Sequence, residues 1–186
     1  MAPDRSTDRI TRRRWAIAAV AAAGALLAIV ASFLPWIHTD TVDGGNTAIT
    51  GWGGITGSSS IAGTNLNEVL DGDGTYRPGV IGVLFGVIAL IAALAIASVS
   101  KGQRPHRITA SVLVLCGLVL GGWGLYRGLD AGDAGVFEPG EASAGLGPFL
   151  TALGGVLILA AAVGVFAGLI DPQQRTAGRR SIQPRS

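Results

Sequence analysis

Four long apolar runs, separated by polar segments, dominate the hydrophobic pattern of the chain. A helix of about twenty residues is roughly 30 Å long, which is the thickness of the hydrocarbon core of a bilayer. The predicted membrane-spanning helices are residues 15–34, 79–99, 108–126 and 148–170. The polar segments around them are residues 1–14, 35–78, 100–107, 127–147 and 171–186. The pattern predicts an all-α membrane fold, a four-transmembrane-helix bundle.

The composition favours the same class. Of the 186 residues, 49% are hydrophobic and 14% are charged, and the mean hydropathy is +0.50. A soluble domain carries about 25% charged residues. The single cysteine, Cys116, lies within the third apolar run, so the sequence excludes an intrachain disulfide and predicts a buried thiol.

The basic residues predict the orientation of the four spans. Twelve of the fourteen Lys and Arg residues lie in the N-terminal tail, the 100–107 loop and the C-terminal tail. The 35–78 and 127–147 loops hold only Arg77 and Arg127, together with nine of the twelve acidic residues. Because basic segments are retained in the cytoplasm, we expect a multi-pass protein of the cell membrane with both termini cytoplasmic.

The arginines before the first run allow two interpretations. The segment Thr11-Arg12-Arg13-Arg14-Trp15 is similar to a twin-arginine export signal, in which Ser or Thr precedes the arginine pair. The alternative is an uncleaved anchor whose arginines hold the first helix end in the cytoplasm. The apolar run exceeds the usual core of a signal peptide and no A-x-A cleavage site follows it, so the anchor is favoured.

The first outer loop contains signals for a small extracytoplasmic cap. Pro35 is expected to end the first helix, and Trp36 is expected to lie half wet at the membrane interface. Residues 37–42 and 47–52 are Thr- and Ile-containing runs that flank four strong turn formers. This arrangement makes a β-hairpin a plausible part of the cap.

The rest of this loop gives weaker signals. Residues 53–60 are rich in Gly and Ser, and we expect them to be flexible. Residues 64–70 are compatible with a short helix, with Thr64 or Asn65 as its N-cap.

Small residues recur four positions apart in every predicted span. Helices in lipid associate through close backbone packing, for which such residues are suited. One interpretation is a binding face for a partner helix, and the other, which we prefer, is self-packing of a compact bundle. The predicted packing glycines are Gly24, Gly82, Gly86, Gly117, Gly121, Gly164 and Gly168.

The predicted spans contain no Asp, Glu, Lys, Arg or His. Pumps and coupled transporters normally keep an ionisable group at membrane depth, so the sequence argues against coupled transport and intramembrane hydrolysis. In the loops, His38 and Asp40 are too few for a convincing metal site, and 71–75 departs from the calcium-loop pattern. We therefore expect no catalytic, cofactor or metal site. The terminal arginines can contact anionic headgroups, whereas nucleic-acid binding fits poorly.

Two resemblances rest on the overall arrangement and on two short motifs. Four spans, a long first outer loop that begins Leu34-Pro35-Trp36, and the later Gly51-Trp52 resemble a broad set of small, mostly uncharacterised actinobacterial membrane proteins. The same features are similar to the claudin-like layout. That layout implies a small sheet in the first outer loop, although its two loop cysteines are absent from this sequence.

These observations predict a non-enzymatic accessory or scaffold subunit that acts through helix packing and its outer loop. Its expected partners are the bilayer and a second membrane protein or another copy of itself. Trp36, Trp52 and Trp123 are the candidate interaction residues, because Trp is enriched at interfaces. The alternative is a small pore or a lipid- or solute-handling protein that uses a Gly-lined path between helices of an oligomer. An enzyme acting through His38 or Asp40 is the third class.

Overall fold

The computed structural model describes residues 5–40, 45–70, 75–98, 103–131 and 140–167. In the first of these segments the side chains are described from residue 11 onward, and in the fourth from residue 107 onward. Residues 71–74, where the sequence departs from the calcium-loop pattern, residues 132–139 of the acidic 127–147 loop, and Gly168 lie outside these residues. The elements are α1 (Arg5–Ala31), β1 (Pro35–Thr39), β2 (Thr47–Thr50), β3 (Ile55–Gly57), α2 (Leu66–Val69), α3 (Gly79–Ser98), α4 (Gln103–Leu129), β4 (Ala142–Ala144) and α5 (Leu146–Phe166).

The four long helices form a bundle. They pack in the cyclic order α1, α3, α4, α5, so that each has two main neighbours. Each contains a segment long and apolar enough to cross a membrane. These segments are Thr11–Ala31, Gly79–Ser98, Arg107–Leu129 and Leu146–Phe166. The described fold is therefore mostly helical and consistent with a multi-pass integral membrane protein, as the apolar runs predict.

The bundle buries small side chains and exposes large ones. Ala21, Ala25 and Ala89 are fully buried, whereas Ile91 and Leu94 are 62% and 58% exposed. In water this distribution leaves much apolar surface unburied, which a soluble monomer rarely tolerates. In lipid the outward-facing side chains meet tails as apolar as themselves, and small residues allow the helices to approach closely.

Glycines allow close contacts between the helices. A methyl group on Gly24 of α1 would lie 2.6 Å from the carbonyl oxygen of Gly154 in α5, and a methyl group on Gly154 would lie 2.6 Å from that of Gly24. A methyl group on Gly117 of α4 would lie 2.9 Å from the carbonyl oxygen of Gly155. Real carbon atoms do not approach oxygen so closely without displacement, so these positions require glycine for the observed helix separation.

Two of the other predicted packing glycines, Gly82 and Gly86 of α3, face α1. Methyl groups there would lie 3.1 Å from the carbonyl oxygens of Ala28 and Ala25, respectively. Gly121 has open space at its own β-carbon position, although its backbone contacts Gly155. Gly164 is buried in α5. The described glycines thus lie largely at contacts within one chain, while their use by a partner helix stays a prediction.

A four-stranded antiparallel sheet, in the order β3-β2-β1-β4, covers one end of the bundle. Strands β1 and β2 are the predicted hairpin. Ile37, Ile49 and Ile55 lie side by side across three strands and form a separate small core with Leu66 and Tyr76. We call this sheet with α2 the cap, and the end of the bundle that carries it the capped end.

The cap differs from the sequence expectation in two places. Ile55–Gly57, within the segment expected to be flexible, is strand β3, because its backbone pairs with β2 from Thr47 to Ile49. Strand β4 comes from the second predicted outer loop and pairs with β1, so both loops contribute to one sheet. The short helix α2 is found as predicted, with Asn65 as its N-cap.

Trp36 is the main contact between the cap and the bundle. Its indole N–H donates to the carbonyl oxygen of Ala31, the last residue of α1, at 2.9 Å. The ring is 1% exposed and is flanked by Gly51 and Gly147, where any β-carbon would clash with it. The expectation of a half-wet Trp36 is therefore wrong, because two glycines distant in sequence leave room for the ring in the interior.

Candidate functional site at the capped end

A cavity of about 300 Å³ opens at the capped end beside α3 and α4. Two stretches of the chain form it: the segment that leads from the cap into α3, and the last turns of α4. The lining residues are Thr75, Tyr76, Arg77, Pro78, Ile81, Trp123 and Arg127. The cavity therefore combines two aromatic rings, two guanidinium groups and two hydroxyls in one place.

Arg127 is the unusual member of this set. It lies in the last turn of α4 and is only 8% exposed. Its guanidinium carbon is 5.6 Å from the ring centroid of Tyr76 and 5.8 Å from that of Trp123, which is within cation–π range of both rings. The partial negative charge at the C-terminal end of a helix also favours a cation there. Among the residues that the structure describes, no carboxylate forms an ion pair with Arg127.

Trp123 closes one side of the cavity. Its indole N–H donates to the carbonyl oxygen of Pro78 at 3.1 Å, which joins α4 to the residue that precedes α3. Its ring is tilted against Tyr126, with the ring centroids 6.0 Å apart. These contacts fix the ring plane that faces Arg127, so Trp123 has a positioning role in addition to the interface role predicted from its location.

Tyr76 closes the other side and is held by the cap. The side-chain amide of Asn67 accepts from the Tyr76 backbone N–H at 2.6 Å and donates to the Tyr76 carbonyl oxygen at 3.2 Å. The same amide donates to Asn65 Oδ1 at 2.7 Å, and Asn65 in turn donates to the carbonyl oxygen of Trp52. These hydrogen bonds therefore fix the position of the Tyr76 backbone relative to the cap.

The Tyr76 hydroxyl is in an electrostatically perturbed environment. It is buried and has no well-aligned hydrogen-bond partner in the described part of the chain. Burial raises the pKa of this hydroxyl above its ordinary value of 10, and Arg127 offsets part of the rise, first as a side-chain hydrogen-bonding neighbour and second through its positive charge. Tyr76 is therefore neutral at physiological pH, and the charge of the cavity comes from Arg127 and Arg77.

The remaining sequence candidates lie outside this cavity. Trp52 is half-buried and stacks on Phe33, with ring centroids 5.8 Å apart and an interplanar angle of 23°. Phe33 is 59% exposed, so this pair presents aromatic surface at the junction of α1 and the cap. His38 lies in β1 and Asp40 follows it, and the described residues contain no group of three or more His, Cys, Asp or Glu residues able to hold a metal.

No pattern along the chain groups Arg127 with Tyr76. The apolar pattern places them in two different predicted outer loops, because Arg127 directly follows Tyr126, the predicted end of the third span. The helix instead continues to Leu129. A usable signal was present: Trp123 and Arg127 are four residues apart, which places them on one face of a helix.

No protein-family model matches this sequence, and no curated protein matches it either.

Proposed function

We propose that this chain is a non-enzymatic accessory or scaffold subunit in the membrane, which acts through helix packing and through its cap. The observation that supports this best is the way in which the cap is attached. Gly79 N–H donates to the Gly51 carbonyl oxygen at 2.8 Å and Gly145 N–H donates to the Trp36 carbonyl oxygen at 2.9 Å. The cap is thus hydrogen-bonded to the starts of α3 and α5, which preorganises it as a contact surface.

The proposed orientation places the cap outside the cell and both termini in the cytoplasm. It follows from the basic residues, twelve of which lie in segments at the end opposite the cap if all four helices span the bilayer. The proposed non-enzymatic role rests on the same sequence, since the predicted spans contain no Asp, Glu, Lys, Arg or His that could act as a catalytic acid or base at membrane depth.

The contact surface proposed for a membrane-protein partner, or for another copy of this chain, is the Phe33–Trp52 pair. Trp side chains dominate binding energy at many interfaces, and this pair combines an exposed ring with a half-buried one. Trp36 is not part of this surface because it is buried.

Affinity purification in mild detergent tests the proposal. We expect the wild-type chain to retain a stoichiometric partner or a second copy, and Trp52→Ala to lose it. Trp15→Ala is the matched control, because Trp15 is 57% exposed and lies near the opposite end of the apolar segment Thr11–Ala31. A wild-type chain that purifies alone as a monomer, or equal partner retention by Trp52→Ala and Trp15→Ala, would contradict the role of this pair.

The alternative is lipid or solute handling, and the cavity beside Arg127 favours it. A Gly-lined path within one chain receives no support, since backbone atoms of the neighbouring helix occupy the space beside Gly24, Gly117, Gly154 and Gly155. Flux through liposomes that contain a purified homo-oligomer would support the alternative, whereas impermeable liposomes together with a stoichiometric partner would support the accessory role.

A further inference from the structure

Arg127 carries a charge that the described residues do not neutralise. The faces of Tyr76 and Trp123 attract a guanidinium group through their negative quadrupole, and the Tyr76 hydroxyl is close enough to interact with it, but one hydroxyl oxygen and two ring faces do not supply acceptors for its five N–H donors. A charge that is 92% buried is costly unless it is paired and hydrogen-bonded. The cavity next to it therefore provides space for an acceptor of opposite charge.

The shape and surroundings of the cavity fit a phosphate group. A planar guanidinium binds phosphate oxygens in a bidentate manner, and an aromatic ring on each side restricts the orientation of the guanidinium plane. Exposed Arg77 supplies a second positive charge on the lining and Thr75 supplies a hydroxyl donor. A volume of about 300 Å³ is at the lower end of the range for small-molecule sites, which is enough for a phosphate-bearing headgroup.

The position along the bundle indicates the source of the phosphate. Arg127 lies two residues before the end of α4, and Trp123 and the 47%-exposed Tyr126 lie within the preceding turn. In a spanning helix, such aromatic residues sit at the level of the lipid headgroups. We propose that this cavity binds a phosphate anion, supplied by the headgroup of an anionic lipid, through Arg127 with Arg77 at its rim. This goes beyond the accessory role, since it requires no protein partner.

Lipid retention by the purified full-length chain tests this proposal. Native mass spectrometry of protein exchanged into detergent containing phosphatidylglycerol or phosphatidylcholine measures the number of bound lipids. We expect the wild-type chain to retain phosphatidylglycerol selectively. Arg127→Gln should lower the affinity for phosphatidylglycerol about tenfold, which is the loss expected for one charge-assisted hydrogen-bonded pair. Arg107→Gln is the matched control, because it removes the same charge from an exposed position at the opposite end of α4.

Two further arms make the result decisive. Inorganic phosphate added without anionic lipid separates the sources: Arg127-dependent thermal stabilisation by phosphate alone, without selective lipid retention, would overturn the headgroup as the source. If Arg127→Gln does not fold, Arg77→Gln decides, since Arg77 is exposed and its loss leaves the buried contacts intact. We expect Arg77→Gln to weaken phosphatidylglycerol retention several-fold relative to Arg107→Gln, and equal retention by these two variants would overturn the proposal. These results are independent of whether Trp52 binds a partner.

Discussion

The contact between Gly24 and Gly154 allows a sharp test of how the bundle is held together. In Gly24→Ala the new methyl group would lie 2.6 Å from the Gly154 carbonyl oxygen and 2.9 Å from Leu157 Cβ. Ordinary contacts between carbon and oxygen are about 3.3–3.6 Å. Helices α1 and α5 must therefore move apart by roughly 0.7–1 Å at this level, which weakens the packing of neighbouring side chains along the same interface.

The expected cost follows from two opposing effects. Overpacking a well-filled interior costs about 1–3 kcal/mol, whereas Ala is favoured over Gly in a helix by up to about 1 kcal/mol. We expect a net loss of roughly 1–2 kcal/mol for Gly24→Ala. Gly122→Ala is the control: Gly122 is exposed on α4 and nothing lies within 4 Å of its β-carbon position, so only the favourable effect remains.

Cys116 provides the assay. It is the only cysteine in the chain and is 1% exposed, so a thiol-reactive fluorophore labels it only when the bundle opens. During heating in mild detergent, we expect Gly24→Ala to lower the midpoint of labelling by roughly 3–6 °C, and Gly122→Ala to leave it unchanged or raise it. A Gly24→Ala midpoint equal to or above that of Gly122→Ala would refute the claim that this glycine pair sets the separation of α1 and α5.

Three further predictions concern the cap and its attachment. Asn67→Asp keeps the acceptor for the backbone N–H of Tyr76 but loses the amide donors, so the thiol-labelling assay should report destabilisation of about 1–3 kcal/mol. Trp36→Phe removes the indole N–H that binds the end of α1 and should cost about 1 kcal/mol or more in the same assay, whereas Trp15→Phe at an exposed position should cost almost nothing. In a Tyr126→Phe background, absorbance titration should show Tyr76 ionising above pH 10. Because the unfolded chain then releases this proton at lower pH than the folded one, stability should fall as the pH rises through 10.

The sequence predicts features that depend on neighbouring residues. The four helices follow from the length of the apolar runs, and the hairpin follows from the turn formers between β1 and β2. The N-cap of α2 follows from the position of Asn65, whose side chain accepts from the Asn67 backbone N–H. In each case the residues that specify the structure lie within a few positions of one another.

The features that the sequence did not predict depend on distant residues. Strand β4 has the sequence Ala-Ser-Ala, which carries no strand signal, and it exists because β1 offers an unpaired edge about one hundred residues earlier in the chain. Trp36 is buried because Gly51 and Gly147 leave room for its ring. No local pattern along the chain encodes the pairing of β4 with β1 or the burial of Trp36, so periodicity alone could not predict these two features.

The cavity illustrates why the cap and the bundle have to be considered together. Its two walls belong to different parts of the fold: Tyr76 is positioned by Asn67 of the cap, and Trp123 is positioned by its hydrogen bond to Pro78. Arg127 lies between the two rings, so the stability of its buried charge depends on both walls at once. An arginine at the end of an apolar run would ordinarily extend into water at the membrane surface. Here Tyr76 and Trp123 cover it, and a charge that would otherwise mark only the end of a span becomes the centre of the proposed phosphate site.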